Sequence, residues 1–191
     1  MPEFYDGEGG NYSIRAQPYL DAIARGIRDD PVARAFLFEG TDFAQAYAGA
    51  KPLWQQQWQA RDPKNANKAP FWASYCCCAC RSCDCGISES GAIEIDALFF
   101  LQNAEGKTLA VHIEMKRDRE NLSPGQAEGY RPRAACYRDE GRERKGVLPH
   151  NDFIVILFCG TGTDIASAKQ HFDRVILHDE ARKIFYRYPG T

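Results

Sequence analysis

Three residues on two neighbouring stretches carry the strongest chemical signal in the chain. Asp96 stands in the run Ala92-Ile-Glu-Ile-Asp-Ala-Leu-Phe-Phe-Leu101, and Glu114 and Lys116 close the run Thr108-Leu-Ala-Val-His-Ile-Glu-Met-Lys116. Both runs have the composition and length of strands, and Asn103-Ala-Glu-Gly106 between them supplies the turn residues of an antiparallel hairpin. Successive side chains on a strand face opposite ways, so His112, Glu114 and Lys116 project from one side and Val111, Ile113 and Met115 from the other. An acid and a lysine set among strongly apolar neighbours are costly to bury unless they pair or hold an ion. A hairpin closed at Asn103–Gly106 brings Asp96 toward Glu114, within the freedom of the register. Two converging carboxylates offer hard oxygen ligands to Mg2+ (or Mn2+), which lowers the pKa of a bound water and offsets charge at phosphorus, while Lys116 orients that water or steadies the developing negative charge. The chemistry that suits this set is hydrolysis of a phosphodiester bond.

The flanking segments must position these residues. Apolar residues Ile14, Tyr19, Leu20, Ile23, Ala24 and Ile27 recur at helical spacing, Asp30-Pro31 is a second helix start with Asp as cap, and Thr41-Asp42 is a third whose helix Pro52 kinks or splits. A helical N-terminal layer over about 12–60 follows. The polar stretch 61–70 reads as a loop, and Phe71–Tyr75 as the start of a strand. After Lys116, Ser123-Pro124 with Gln126 three residues past the serine resembles a capped helix start, and a helix runs from there toward Arg138. Residues 138–149 are charged and glycine-containing and read as an exposed loop. Residues 153–159 form a continuous apolar run suited to a strand buried on both faces. Residues 164–176 read as one more helix, and Ile184–Tyr188 as a short last strand. The expected architecture is α/β, a mixed β-sheet flanked by helices, in a single domain over 1–191 with its core over about 70–188.

On these residues the sequence resembles the PD-(D/E)XK, or restriction-endonuclease-like, nuclease superfamily, in which an Asp on one strand is followed on the next by Glu-x-Lys. Here Asp96 is followed by Glu114-Met-Lys116, and Gln126-Ala-Glu-Gly-Tyr130 matches the Gln-x-x-x-Tyr helix of several branches, including the RecB-like nucleases. The resemblance covers roughly residues 70–160 and implies a restriction-endonuclease-like core of order α-β-β-β-α-β. It implies Asp96 and Glu114 as metal ligands, Lys116 as the catalytic lysine and Gln126 as a further residue of the site. It departs from the pattern at Ile95, where many members carry Pro before the Asp, and the acid that many carry on the first helix is unassigned: Glu39 and Glu8 are candidates, and Glu94 is an alternative supporting group.

Six of the eight cysteines (Cys76, Cys77, Cys78, Cys80, Cys83 and Cys85) fall within a Cys-rich loop at 76–85. Neighbours so close rarely all pair as disulfides, and Cys77, Cys80, Cys83 and Cys85 have the short spacings of a structural Zn2+ site. An iron–sulfur cluster and a loop of reduced thiols are the alternatives; Cys136 and Cys159 read as core residues. Among the basic residues that follow Lys116, the arginines Arg131 and Arg133, with Tyr130, are the expected substrate contacts. His112 reads as a packing histidine, and His150, His171 and His178 have no ligand spacing.

A net charge of −2 supplies no general attraction to nucleic acid, so any contact with DNA must come from a local basic patch. No apolar run approaches the roughly 18 residues needed to span a bilayer, and the first residues, Met-Pro-Glu-Phe-Tyr-Asp-Gly-Glu, lack an export signal, so the expected compartment is cytoplasmic. The expectation is therefore a Mg2+-dependent DNA endonuclease of restriction type, for which a homodimer is one open assembly. A zinc-stapled nucleic-acid-binding domain with a degenerate site is the alternative from another class, and an exonuclease or resolvase would use the same chemistry.

Overall fold

The computed structural model describes residues 15–61, 70–76, 94–138 and 146–190. The chain is mixed α/β, with one sheet between two helical layers. The first layer opens with α1 (Gln17–Asp29), whose Leu20, Ile23, Ala24 and Ile27 form a buried stripe. It continues in α2 (Pro31–Phe38), where the Asp30 carboxylate accepts the Val32 N–H at 2.8 Å and Pro31 begins the first turn, as the Asp-Pro pair predicts.

The third expected helix is replaced by shorter pieces: α3 (Ala44–Tyr47), the strand β1 (Lys51–Pro52) and α4 (Trp54–Ala60). Pro52 does not kink a helix. It lies opposite Leu101 in a strand at the sheet edge, where a residue without an N–H is tolerated.

The strands β2 (Ala73–Cys76), β3 (Glu94–Gln102), β4 (Thr108–Lys116), β5 (Asp152–Cys159) and β6 (Arg174–Leu177) complete a sheet of order β1-β3-β4-β5-β6. β2 and β1 share one edge of β3, against its first and last residues respectively. β3 and β4 are the expected antiparallel hairpin. Its turn is held by Asn103, whose side-chain oxygen accepts the N–H groups of Glu105 (3.1 Å) and Lys107 (2.9 Å), and by Gly106 at φ 81°. β5 runs parallel to β4 and is buried along Ile154–Cys159, as its unbroken apolar run requires.

The alternation of side chains divides the core. Phe99, Leu101, Val111, Ile113, Ile154, Ile156 and Phe158 face α1, α2 and the last helix α7 (His178–Ile184). From the other face, Val155, Leu157 and Cys159 pack with Ala127, Tyr130 and Ala134 of α5 (Gln126–Arg138). Asp96, His112, Glu114 and Lys116 belong to this second face.

Two expectations near the C-terminus are overturned. The helix over 164–176 shrinks to one turn, α6 (Ile165–Ala168), and Val175 and Ile176 lie in β6 opposite Leu157 and Phe158. The Asp173 carboxylate accepts the Val155 N–H at 2.8 Å just before that pairing begins. The predicted strand Ile184–Tyr188 is absent. Ile184 ends α7, which is started by Glu180 accepting the Leu177 N–H, and Phe185 and Tyr188 turn back into the core. Of the cysteine run, Cys76 ends β2, while Cys77, Cys78, Cys80, Cys83 and Cys85 lie outside the described residues, as does Glu8. No helix among the described residues is long and apolar enough to cross a membrane.

Candidate active site

The hairpin register decides whether Asp96 joins Glu114. The last paired positions are Ala97 and Ile113, and one step further sets Asp96 opposite Glu114 on the same face. Asp96 is tied to β4 directly, its Oδ2 accepting the Met115 N–H at 2.8 Å. Its carboxyl is held well above the usual range by burial and then by the adjacent Glu114 charge, with which it also shares a hydrogen bond.

Glu114 is the hub. It is 2% exposed, and both of its oxygens are engaged. Oε1 receives the Lys116 ammonium at 2.9 Å and the Gln126 amide at 2.8 Å, while Oε2 receives the Tyr130 hydroxyl. Lys116 reaches it because residues two apart on a strand share a face. Gln126 and Tyr130 reach it together because they are four apart on α5 and so lie one above the other. Gln126 also accepts the Ser123 N–H at 3.0 Å, so one amide both starts the helix and holds the carboxylate. Burial, followed by the charges of Glu114 and Asp96, raises the Tyr130 hydroxyl well above its ordinary value, and it stays a donor.

The geometry brings together Asp96, Glu114, Lys116, Gln126 and Tyr130. It separates the remaining candidates. Tyr130 is buried and spends its hydroxyl on Glu114 and on the Glu94 carbonyl (3.2 Å), so it orients the carboxylate rather than meeting substrate. Arg133 is 0% exposed with its guanidinium 5.6 Å from the Tyr130 ring centre, which removes it from any surface a phosphate could approach. Arg131 is exposed and pairs with Asp173. Glu39 pairs with Arg174, whose strand partner Ile156 faces α1 and α2, so this acid lies across the sheet from Glu114 and cannot serve as the first-helix ligand.

Two carboxylates side by side, one of them resisting ionisation because of burial and then because of the other, make a site whose charge a divalent cation would offset. No group of three or more His, Cys, Asp or Glu side chains placed to hold a metal occurs among the described residues. A donor set of two carboxylates fits an ion such as Mg2+, which keeps several waters, better than one needing four protein ligands. Were this pair to hold Mg2+, Tyr130→Phe, which frees one side of Glu114, would weaken the affinity roughly 10-fold, the scale on which loss of an outer partner acts. Calorimetric titration with Mg2+ measures this, and unchanged affinity would refute it.

His112, the next residue on this face, is fully buried against Tyr137 and Phe153, and neither ring nitrogen meets a hydrogen-bond partner among the described residues. Burial, then His150 and Arg133, lower its pKa from 6.5 to about 3. It is a packing residue. In the unfolded chain it takes a proton below about pH 6.5, while the folded chain refuses one until about pH 3. Stability is therefore full above that window and falls as pH drops through it, by up to about 1.4 kcal/mol per pH unit. His112→Phe should flatten this acid limb in urea titrations between pH 7 and pH 4, and an unchanged slope would contradict the assignment.

No family model, curated protein or solved structure matches the chain.

Proposed function

We propose that the chain is a Mg2+-dependent nuclease of the restriction-endonuclease-like type that hydrolyses phosphodiester bonds in DNA. The observation that carries the reading is the convergence of Asp96, Glu114 and Lys116 on one sheet face, with Met115 N–H tying Asp96 to β4 and Lys116 Nζ 2.9 Å from Glu114. The element order supports it: α4, β2, β3, β4, α5 and β5 follow the α-β-β-β-α-β order that the resemblance implies.

Asp96 and Glu114 would hold the ion, which when bound supplies a water of lowered pKa and a counter-charge for the phosphoryl oxygens. Gln126 and Tyr130 keep the Glu114 carboxylate from rotating. Lys116, whose side chain is 17% exposed, keeps its ammonium at the mouth of this buried cluster, where it can face the charge that develops on phosphorus-bound oxygen. With a net charge of −2, DNA has to be met locally, and the exposed Arg119 follows the strand that bears Lys116, beyond Arg117, which is paired with Glu120.

The test is cleavage of supercoiled plasmid with Mg2+. The wild-type chain should nick or linearise it, EDTA should stop the reaction, and Asp96→Ala and Lys116→Ala should be inactive. Cleavage that survives both substitutions, or DNA binding with no cleavage, would overturn the reading, and the second result would favour a degenerate site.

A further inference from the structure

Lys116 is the last residue of β4, where the chain leaves the sheet for a loop. Its backbone carbonyl is taken by a side chain from a distant part of the chain: His178 Nε2 lies 2.9 Å from Lys116 O, and His178 Nδ1 lies 2.8 Å from the Tyr188 hydroxyl. A carbonyl only accepts, so Nε2 carries the hydrogen and Nδ1 must accept from Tyr188. Both groups suit these roles. Burial lowers the His178 pKa, which favours the neutral ring, and burial raises that of Tyr188, which keeps its proton. His178 is 2% exposed and packs against Tyr19 at 5.0 Å between ring centres, and Tyr188 meets the same ring edge-on at 5.4 Å.

The loop beyond the clamp is also pinned. A methyl group at Gly160 would lie 2.7 Å from the Asp118 Cα, and one at Gly162 would lie 2.8 Å from the Arg119 Cα, so this turn sits directly on the end of β5. Arg119 holds φ 65°, a conformation non-glycine residues rarely adopt, and Thr163 Oγ1 donates to the Glu120 carbonyl at 3.0 Å.

We propose that His178, locked in one tautomer by Tyr188, is a positioning residue for Lys116: it fixes the carbonyl at the end of β4 and so sets the direction from which the lysine side chain reaches Glu114. The inference rests on the nuclease reading for its catalytic consequence, but not for its geometric one. The relay joins positions 62 residues apart in the chain. Among the described residues the hydrogen bonds of His178 run to the Lys116 carbonyl and the Tyr188 hydroxyl, not to Glu114 or Asp96, so its effect on the site passes through Lys116.

Two measurements on the full chain test this. The first follows the Lys116 ammonium by 15N NMR with lysine labelling, its signal being the one missing from Lys116→Met. The wild-type signal should exchange slowly because of the Glu114 pair, shift in Tyr188→Phe, and broaden or vanish in His178→Ala. The second is a double-substitution cycle on cleavage. His178→Gln and Tyr188→Phe should each lower kcat about 10-fold with KM within about twofold, since misplacing a catalytic group slightly costs on that order. Neither should lower the residual rate further in the Lys116→Met background. A Lys116 signal unchanged in both Tyr188→Phe and His178→Ala, or an equal loss of rate with and without Lys116, would overturn the proposal. Absence of cleavage by the wild-type chain would overturn the nuclease reading instead, and the ammonium signal would still decide the positioning role. Tyr188→Phe removes only a hydroxyl and preserves the packed ring, so a folding failure of His178→Ala leaves the test intact.

Discussion

Asp96→Asn and Lys116→Met are each expected to reduce kcat for phosphodiester cleavage by at least about 10²- to 10³-fold, the scale on which loss of one preorganised charge-stabilising group acts. The two should diverge in stability. Asp96 is half-buried beside the fully buried Glu114, and its carboxyl is raised above the usual range by burial and by that neighbour. A carboxyl whose folded pKa lies above its unfolded value stabilises the fold at low pH, and that contribution is lost as pH rises through the folded pKa. Asparagine cannot ionise. The urea midpoint of Asp96→Asn should therefore exceed that of the wild type near neutral pH, by a margin that shrinks as pH is lowered. Lys116→Met should lower the midpoint, because the buried Glu114 carboxylate would lose its ion-pair partner 2.9 Å away. A slowed, stabilised Asp96→Asn beside a slowed, destabilised Lys116→Met is the pattern of a site that trades stability for function. Two variants destabilised alike would point to an ordinary structural ion pair.

Phe158→Ala should be severely destabilising, at about 3–5 kcal/mol. Phe158 is 0% exposed in the middle layer of the core, with Phe185 edge-on at 5.7 Å and Tyr188 tilted at 6.3 Å. Its strand partners are Met115 on one side and Ile176 on the other, so its removal opens a cavity under β4 and under the segment that carries His178. Total stabilities of about 5–15 kcal/mol leave little after such a loss. Activity should fall with the folded fraction and recover on cooling or with a stabilising osmolyte, whereas Lys116→Met should not recover. Thermal unfolding followed alongside activity separates the two cases; a Phe158→Ala chain that remains fully folded yet inactive would contradict this account of the core.

Much of this arrangement was legible in the sequence because it is local. The face shared by Glu114 and Lys116 follows from strand periodicity, and the partnership of Gln126 and Tyr130 follows from helical spacing. The step from Asp96 to Glu114 depended on where the hairpin closed, and Asn103 and Gly106 carry that information in their turn chemistry. What stayed hidden was decided by tertiary pairing. Ile165, Ala168, Phe172, Val175 and Ile176 have helical spacing, yet an open edge on β5 recruits Arg174–Leu177 as a parallel strand. Arg133 lies on the same helix as Arg131, and composition alone does not say that one faces the sheet and the other solvent. His178 had no spacing to mark it, because its partner is the backbone of a residue on another element.

The most direct test of the central claim is a crystal soaked in Mn2+ and measured at the manganese absorption edge. An anomalous peak beside the Asp96 and Glu114 carboxylates, lost in Glu114→Gln, is the expected result. Manganese bound elsewhere with none between these carboxylates, or a peak that persists without Glu114, would contradict it.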